Sequence, residues 1–278
     1  MQSQKKHYLR RCILLGMLVI VALAFYHGIV IRPYLFETSK LDAKARLRIV
    51  TLADLHSHIY GREQRDLIRQ IKKADPDIIV MVGDMIDDEK PITGMTLLLK
   101  ELQGVAPMYY VTGNHEYWSG HIKEIKQYMR HYHVTILENG YEVVTLKGQS
   151  LILAGLDDVA GFQDEAMWET AAKEAFKELA HEPGYKVLLT HRPDLVDTYK
   201  QLPFDLVLSG HTHGGIVRIP YISNGFFAAN QKLFPDYVGG LYQEEGLNLI
   251  VSRGLSSDTM PPRFFNPPEV TVIELVGK

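Results

Sequence analysis

Val111-Thr112-Gly113-Asn114-His115-Glu116 closes an apolar run, Met108–Val111, that reads as a buried strand broken by Gly113. A carboxamide and an imidazole then stand at the strand's mouth. In open α/β sheets, functional groups gather just beyond the carboxyl ends of strands. Taken alone, an Asn-His pair in a loop reads equally as a turn. Its weight comes from four other places where an apolar run ends in Asp or His.

Working outward, residues 47–53 form a β-type run ending in Asp54-Leu55-His56, and residues 63–74 follow with helical spacing of Leu67, Ile68 and Ile71. Residues 77–82 predict a second strand, ending in Gly83-Asp84-Met85-Ile86-Asp87, and residues 93–102 a helix. The Met108–Val111 strand leads into a further helix over 119–132. This strand–turn–helix alternation implies a parallel sheet with right-handed crossovers. The pattern changes after His133, where residues 134–137, 142–146 and 151–154 are closely spaced strand candidates that predict hairpins. A helix over 164–180, a strand over 185–190 ending in His191, a short helix over 193–201 and a strand over 204–209 ending in Gly210-His211-Thr212-His213 come next. Residues 210–243 read as loop, and 247–252 and 269–276 as closing strands.

The chain has 278 residues, 46% of them hydrophobic, enough for one large core. A formal charge of -3 argues against a general nucleic-acid partner, which would need a basic excess. A single cysteine, Cys12, excludes an intramolecular disulfide framework and a cysteine-rich metal site. The N-terminus differs from the rest. Lys5, Lys6, Arg10 and Arg11 precede an apolar stretch from Cys12 to Ile31, long enough to span a bilayer as a helix. A retained signal anchor and a signal peptide cleaved after Ala22-Leu23-Ala24 are both open; the apolar run continues past that site through Phe25, Tyr26 and Ile29, which favours the anchor. The expected organisation is a membrane anchor over 1–31, a tether over 32–46 and a catalytic domain over 47–278. The N-terminal cations favour a cytoplasmic N-terminus, hence a single-pass protein of the cell membrane with its catalytic domain outside the cytoplasm.

Imidazoles, carboxylates and one amide, without sulfur, suit Zn, Mn or Fe. Asp54/His56 and His211/His213 are pairs spaced by two, which puts both side chains on one side of an extended strand. Asp54 also reads as a helix cap, Asp84 as a turn residue and His191 as a loop residue. His211-Thr212-His213 among three glycines has little structural reason to be there.

Asp54-x-His56, Gly83-Asp84-x-x-Asp87, Gly113-Asn114-His115-Glu116, His191 and Gly210-His211-Thr212-His213, in this order, resemble the calcineurin-like metallophosphoesterase superfamily. The likeness covers roughly residues 47–276. The apolar N-terminus and the tail from Arg253-Gly254-Leu255-Ser256-Ser257 to Arg263-Phe264-Phe265-Asn266-Pro267-Pro268-Glu269 resemble its bacterial membrane-associated branch. That resemblance implies a four-layer α/β/β/α sandwich of two mixed sheets and two divalent ions. Asp54, His56 and His213 would hold the first ion, Asn114, His191 and His211 the second, and Asp84 would bridge them. Two neighbouring cations need such a shared anion, and a water between them becomes the nucleophile near neutral pH. His115 would contact the phosphoryl oxygens or protonate the leaving group. Asp87 is a candidate for orienting a ligand, whereas Asp157-Asp158 reads better as a turn. Arg192, Arg253 and Arg263 are candidate phosphate-binding residues. The aromatic stretch 226–242 suits a flap over the site, or ordinary packing. The expected activity is hydrolysis of a phosphodiester or pyrophosphate in a phosphorylated small molecule or lipid-linked substrate at the membrane. A phosphomonoesterase and a metal-binding module without turnover are the alternatives.

Overall fold

A computed structural model of the chain describes residues 2–228 and 233–278. The first long element is α1 (Gln2–Ala24), followed by strands β1 (Val30–Thr38) and β2 (Arg46–Leu52). Then α2 (Arg65–Ala74), β3 (Ile78–Val82), α3 (Thr93–Leu102) and β4 (Met108–Val111) alternate as the sequence predicts. After α4 (Asn114–Trp118) and α5 (Ile122–His131) come β5 (Val134–Ile136), β6 (Gly140–Leu146) and β7 (Gln149–Gly155). The chain continues through α6 (Glu165–Phe176), β8 (Tyr185–Leu189), α7 (Val196–Tyr199) and β9 (Leu206–Ser209), and ends with β10 (Gly240–Glu244), β11 (Leu247–Val251) and β12 (Glu269–Gly277).

The strands form two mixed six-stranded sheets, β1-β12-β2-β3-β4-β5 and β10-β11-β9-β8-β7-β6. Strand pleating explains how they layer, because alternate residues point to opposite faces. In β3, Ile78, Val80 and Val82 join a core with Leu151, Leu153, Val187, Leu189 and Leu208 of the other sheet. Their neighbours Ile79 and Met81 pack outward against Leu67 and Ile71 of α2 and Leu98, Leu99 and Leu102 of α3. On the far side, Ile152, Leu188 and Val207 pack against Trp168 and Phe176 of α6 and Tyr199 of α7. Helix, sheet, sheet and helix are therefore the four layers. Strands β2, β3 and β4 are mutually parallel, as are β7, β8 and β9, so within each sheet the functional strand ends share one edge.

Three expectations need correction. The supposed tether over 32–46 contains most of β1, which starts at Val30 inside the expected anchor and pairs with all of β12 in parallel register from Val30↔Glu269 to Thr38↔Gly277. Residues 134–137 form no hairpin with the following strand: β5 pairs with β4 in the first sheet, and only β6 and β7 form the hairpin, in the second. The loop region over 210–243 holds a further strand, β10, antiparallel to β11. Of the proposed flap stretch 226–242, residues 229–232 lie outside the described residues.

Helix α1 is different in kind. Its segment His7–Ala24 is long and apolar enough to cross a membrane by length and composition. Leu14, Leu15, Leu18, Val19 and Ile20 are exposed, so no protein surface explains their apolar character. Among the described residues its end is what is tied down: Phe265 N–H donates to Ala24 O at 2.7 Å, and the Phe25 and Phe264 rings meet edge-on at 5.3 Å.

The pairing of β1 makes a prediction about where a soluble fragment begins. A fragment starting at Val30 should fold like the parent domain. One starting at residue 40 bares β12, an edge carrying Val270, Val272 and Ile273, and should melt lower by more than about 5 °C and aggregate. Scanning calorimetry and gel filtration of the two fragments check this; equal melting temperatures would show β1 to be dispensable.

Candidate metal centre

Each candidate side chain lies just past a strand end. Asp54 and His56 follow β2, Asp84 follows β3, Asn114 opens α4 after β4, His191 follows β8, and His211 and His213 follow β9. All of these except His213 are buried, and His213 retains only partial exposure. Their backbones are unusual. Asp54, His56, Asp84, His211 and His213 have φ values of 51°, 46°, 50°, 72° and 48°. Left-handed φ is uncommon for residues other than glycine and clusters where function constrains the chain. Five neighbouring instances turn five side chains inward from strand ends that would otherwise point past one another.

The side chains meet in two groups. Asp54, His56 and His213 have ligand atoms within 4.8 Å of one another, as do Asp84, His191 and His211. Nε2 of His56 stands 3.2 Å from Nε2 of His213, and Nδ1 of His211 stands 3.2 Å from Nε2 of His191. Asp84 lies between the groups, with Oδ2 3.1 Å from His191 Nε2 and 3.6 Å from His56 Nε2. His191 Nδ1–H donates to Val82 O at 2.9 Å, which leaves Nε2 for the cluster.

Paired imidazole nitrogens about 3 Å apart are the spacing of two donors on one ion roughly 2 Å from each. Buried donors without partners give the same indication. Asp54 Oδ2 and Asn114 Oδ1 have no hydrogen-bond partner among the described residues. Buried polar atoms are nearly always satisfied, so an orphaned carboxylate oxygen and an orphaned amide oxygen fit divalent cations.

The electrostatics are consistent with this fit. Burial, and then the charge of Asp84, push the Asp54 carboxyl up, against the pull of His191. Burial also favours the neutral form of Asp84, but His191, His56 and His115 outweigh it and hold the carboxyl well below the usual range. For His191, burial opposes the charged ring and Asp84 prevails, raising it to about 10. His56, His211 and His213 are pushed down, mainly by burial. The neutral imidazoles of His56, His211 and His213 beside buried carboxylates suit a cation, which would take the place of the proton that Asp84 holds on His191.

Two glycines are required by close approach. A Cβ on Gly113 would lie 2.2 Å from Asp84 Oδ1. One on Gly83, whose φ is 86°, would lie 2.5 Å from His191 Nδ1.

His115 lies at the rim. Its Nε2 is 3.9 Å from Asp84 Oδ2, its ring touches Trp118, and its Nδ1–H donates to Asp88 Oδ1 at 2.5 Å. Asp88, not Asp87, therefore orients this ring; Asp87 Oδ2 is 3.7 Å from His56 Nδ1, too long for a hydrogen bond. Arg192 reaches the cluster, with Nη1 3.4 Å from His211 Nε2. Asp158 fixes it through Nε at 2.9 Å, so Asp157-Asp158 is no mere turn. Asp157 accepts from Thr112 Oγ1 and Lys126 Nζ, each at 2.8 Å. The same strand-end pattern that singles out the other candidates is present at these two residues, after β7. Arg263 is buried, and its guanidinium donates to the carbonyls of Ser256, Arg253 and His213, so it braces loops. Arg253 lines a different cavity.

Sequence reasoning also missed the role of Glu116. Fully buried, it accepts from the N–H groups of Asp84 (3.0 Å), Met85 (2.8 Å) and Gly113 (2.8 Å). It ties the β3 and β4 loops together and fixes Asp84. Its position three residues after Gly113, as in a capping box, is the only local signal. Glu116→Gln turns one acceptor oxygen into a donor facing donors and should lower stability by roughly 1–3 kcal/mol. Urea unfolding measures this; an unchanged midpoint would mean the loops hold without it.

The calcineurin-like phosphoesterase family profile matches residues 47–215. An uncharacterized metallophosphoesterase of Bacillus subtilis, YkuE, is 28% identical over 259 residues, covering 88% of this chain and 87% of that one. The phosphodiesterase YaeI of Escherichia coli is 30% identical over 244 residues, covering 84% of each. A dimetal phosphatase from Danio rerio of known structure is 12% identical, with a TM-score of 0.49, over 75% of this chain and 88% of that one. With the family match spanning well over half its length, the chain belongs to the calcineurin-like phosphoesterases and is a metal-dependent hydrolase of phosphoric esters.

Proposed function

We propose that the chain is a membrane-anchored phosphoesterase that cleaves a phosphodiester or pyrophosphate bond of a lipid or envelope component at a centre of two divalent ions, Mn, Zn or Fe. Asp54, His56 and His213 hold one ion, Asn114, His191 and His211 the other, and Asp84 serves both. The observation that carries this reading is the meeting of the two donor groups at Asp84, with Asp54 Oδ2 and Asn114 Oδ1 buried and unpartnered beside them. When bound, the ions supply an activated water and a positive field for the phosphoryl oxygens.

The chain's own residues do the rest. Arg192, held by Asp158, offers a guanidinium fork to a phosphoryl oxygen. His115, oriented by Asp88, keeps Nε2 at the cavity and hands a proton to the leaving alkoxide. The cavity beside the cluster, about 410 Å³, is lined by Ile216, Phe227, Ala228, Met260 and Pro261 as well as His56, His115 and His213. Such an apolar wall suits an acyl or isoprenoid portion, and Phe227 supports the flap reading. The exposed apolar faces of α1 support the anchor. The YaeI relative, a phosphodiesterase by name, favours the diester.

Metal-stripped protein should be inert toward bis-p-nitrophenyl phosphate and regain turnover with added Mn, Zn or Fe. Asp84→Ala should lose bound metal and turnover together. His115→Ala should keep its metal and lose about 10²- to 10⁴-fold in kcat. Metal loss in His115→Ala would overturn its role, and turnover of p-nitrophenyl phosphate alone would make the enzyme a monoesterase. For topology, protease added to intact spheroplasts should digest the domain after α1; full protection would place it in the cytoplasm.

A further inference from the structure

A second cavity, about 550 Å³, lies at the foot of α1. Arg32 of β1, Arg218 and Arg253 line it, and no Asp or Glu does. The buried Glu269 accepts from Nε of Arg32 at 3.3 Å and forms an ion pair with Arg253, whose Nε is 3.4 Å away without a hydrogen bond. Arg218 is buried; it donates to Gly214 O at 3.2 Å and to Asn224 Oδ1. Three guanidiniums thus face one carboxylate. The four terminal nitrogens of Arg32 and Arg253 have no protein partner among the described residues. Three like charges gathered at a cavity, two with open forks, cost free energy unless an anion joins them.

We propose that this cavity is a phosphate-group site separate from the metal centre, taking the phosphate of an anionic lipid headgroup. Guanidinium forks match phosphate oxygens in pairs, better than they match a single point charge. The surroundings point to a lipid source. Phe265, which lines the cavity, is bonded through its N–H to the last residue of α1. Tyr221 and Ile222, also in the lining, are 109% and 79% exposed, so apolar tips project from the rim. Polar forks within, apolar tips at the rim and a bilayer-length helix leaving the same point form a surface suited to the headgroup level of a membrane. Burial and the neighbouring Arg253 push Arg218 down to about 10, a cost that an added anion relieves. The lipid source rests on the membrane reading of α1; the phosphate site itself does not.

The test uses the full chain, stripped of metal so that the metal centre does not contribute. In neutral detergent, inorganic phosphate should bind saturably, read by ³¹P line broadening and a rise in Tm. Arg32→Gln, at a half-exposed position that leaves the fold intact, should weaken this at least about tenfold, and Asp84→Asn should not. Arg218→Gln should do the same, with circular dichroism confirming its fold. In phosphatidylcholine nanodiscs, added phosphatidic acid should raise Tm for the parent and not for Arg32→Gln, and should displace inorganic phosphate. Phosphate binding indifferent to both arginine variants overturns the site. Phosphate binding without lipid competition overturns the lipid source and keeps the site. Failure of the chain to co-elute with nanodiscs overturns the anchor reading alone.

Discussion

Asp84 is a carboxylate with almost no access to water, and the rest of the centre depends on how it is kept ionised. Burial alone would neutralise it. His191 at 3.1 Å offsets that cost, and His115 N–H donates to Oδ1 at 3.0 Å. Its own N–H is anchored by Glu116, which is buried without a cationic partner and is satisfied instead by backbone donors from two loops. Burial, with Asp84's charge adding to it, pushes the Glu116 carboxyl up. Two carboxylates this close in a dry interior repel each other, so the arrangement persists because backbone N–H groups and imidazoles are fixed around them. A divalent cation removes the remaining repulsion, which is why donor geometry and charge point to the same occupant.

The two-sheet architecture delivers these groups to one place. β2, β3 and β4 bring Asp54, His56, Asp84 and Asn114 to the edge of the first sheet, and β8 and β9 bring His191 and the two later histidines to the edge of the second. The apolar layer between the sheets, from Leu47 and Val82 to Leu189 and Leu208, holds the sheets in register. Cross-sheet bonds such as His211 N–H to Asp54 Oδ1, at 2.8 Å, fasten the two halves at the site itself. A side chain misplaced by one residue along any strand would face the opposite layer.

Much of this was legible in the sequence because short apolar runs ending in Asp, Asn or His are rare except where a buried strand opens on a site. β3, α3 and β4 fall where periodicity places them. β1 was obscured because it follows the apolar N-terminal stretch and contains Pro33, which argues against a central strand; at the sheet edge the missing N–H costs nothing. β5 was expected in a hairpin with the next strand because its local pattern carries no information about partners. Glu116 and Asp88 were missed because an acidic residue in a turn or first helical turn is ordinarily solvated, and only the tertiary fold buries one and brings the other to His115. Arg263, offered as a phosphate ligand, spends Nε and Nη1 on three backbone carbonyls, since a guanidinium's fit to phosphate is also its fit to carbonyl oxygens.

The strained backbone completes the physical account. Left-handed conformations at Asp54, His56, Asp84, His211 and His213 cost of order 1–3 kcal/mol each. Together that is comparable to the whole net stability of an ordinary domain, about 5–15 kcal/mol. A site of this kind cannot be built on a marginal scaffold. It needs strands such as β3, β4, β8 and β9, in which every residue is buried, so that unwinding any strand end also opens a core layer. It also benefits from ions that bind only the folded arrangement, because such binding stabilises the folded state by mass action. The apolar layers carry that strain in the folded chain, and bound cations would add to the stability of the arrangement. Donor positions fixed in this way would favour an ion that accepts them as they stand over one that needs the donors to move.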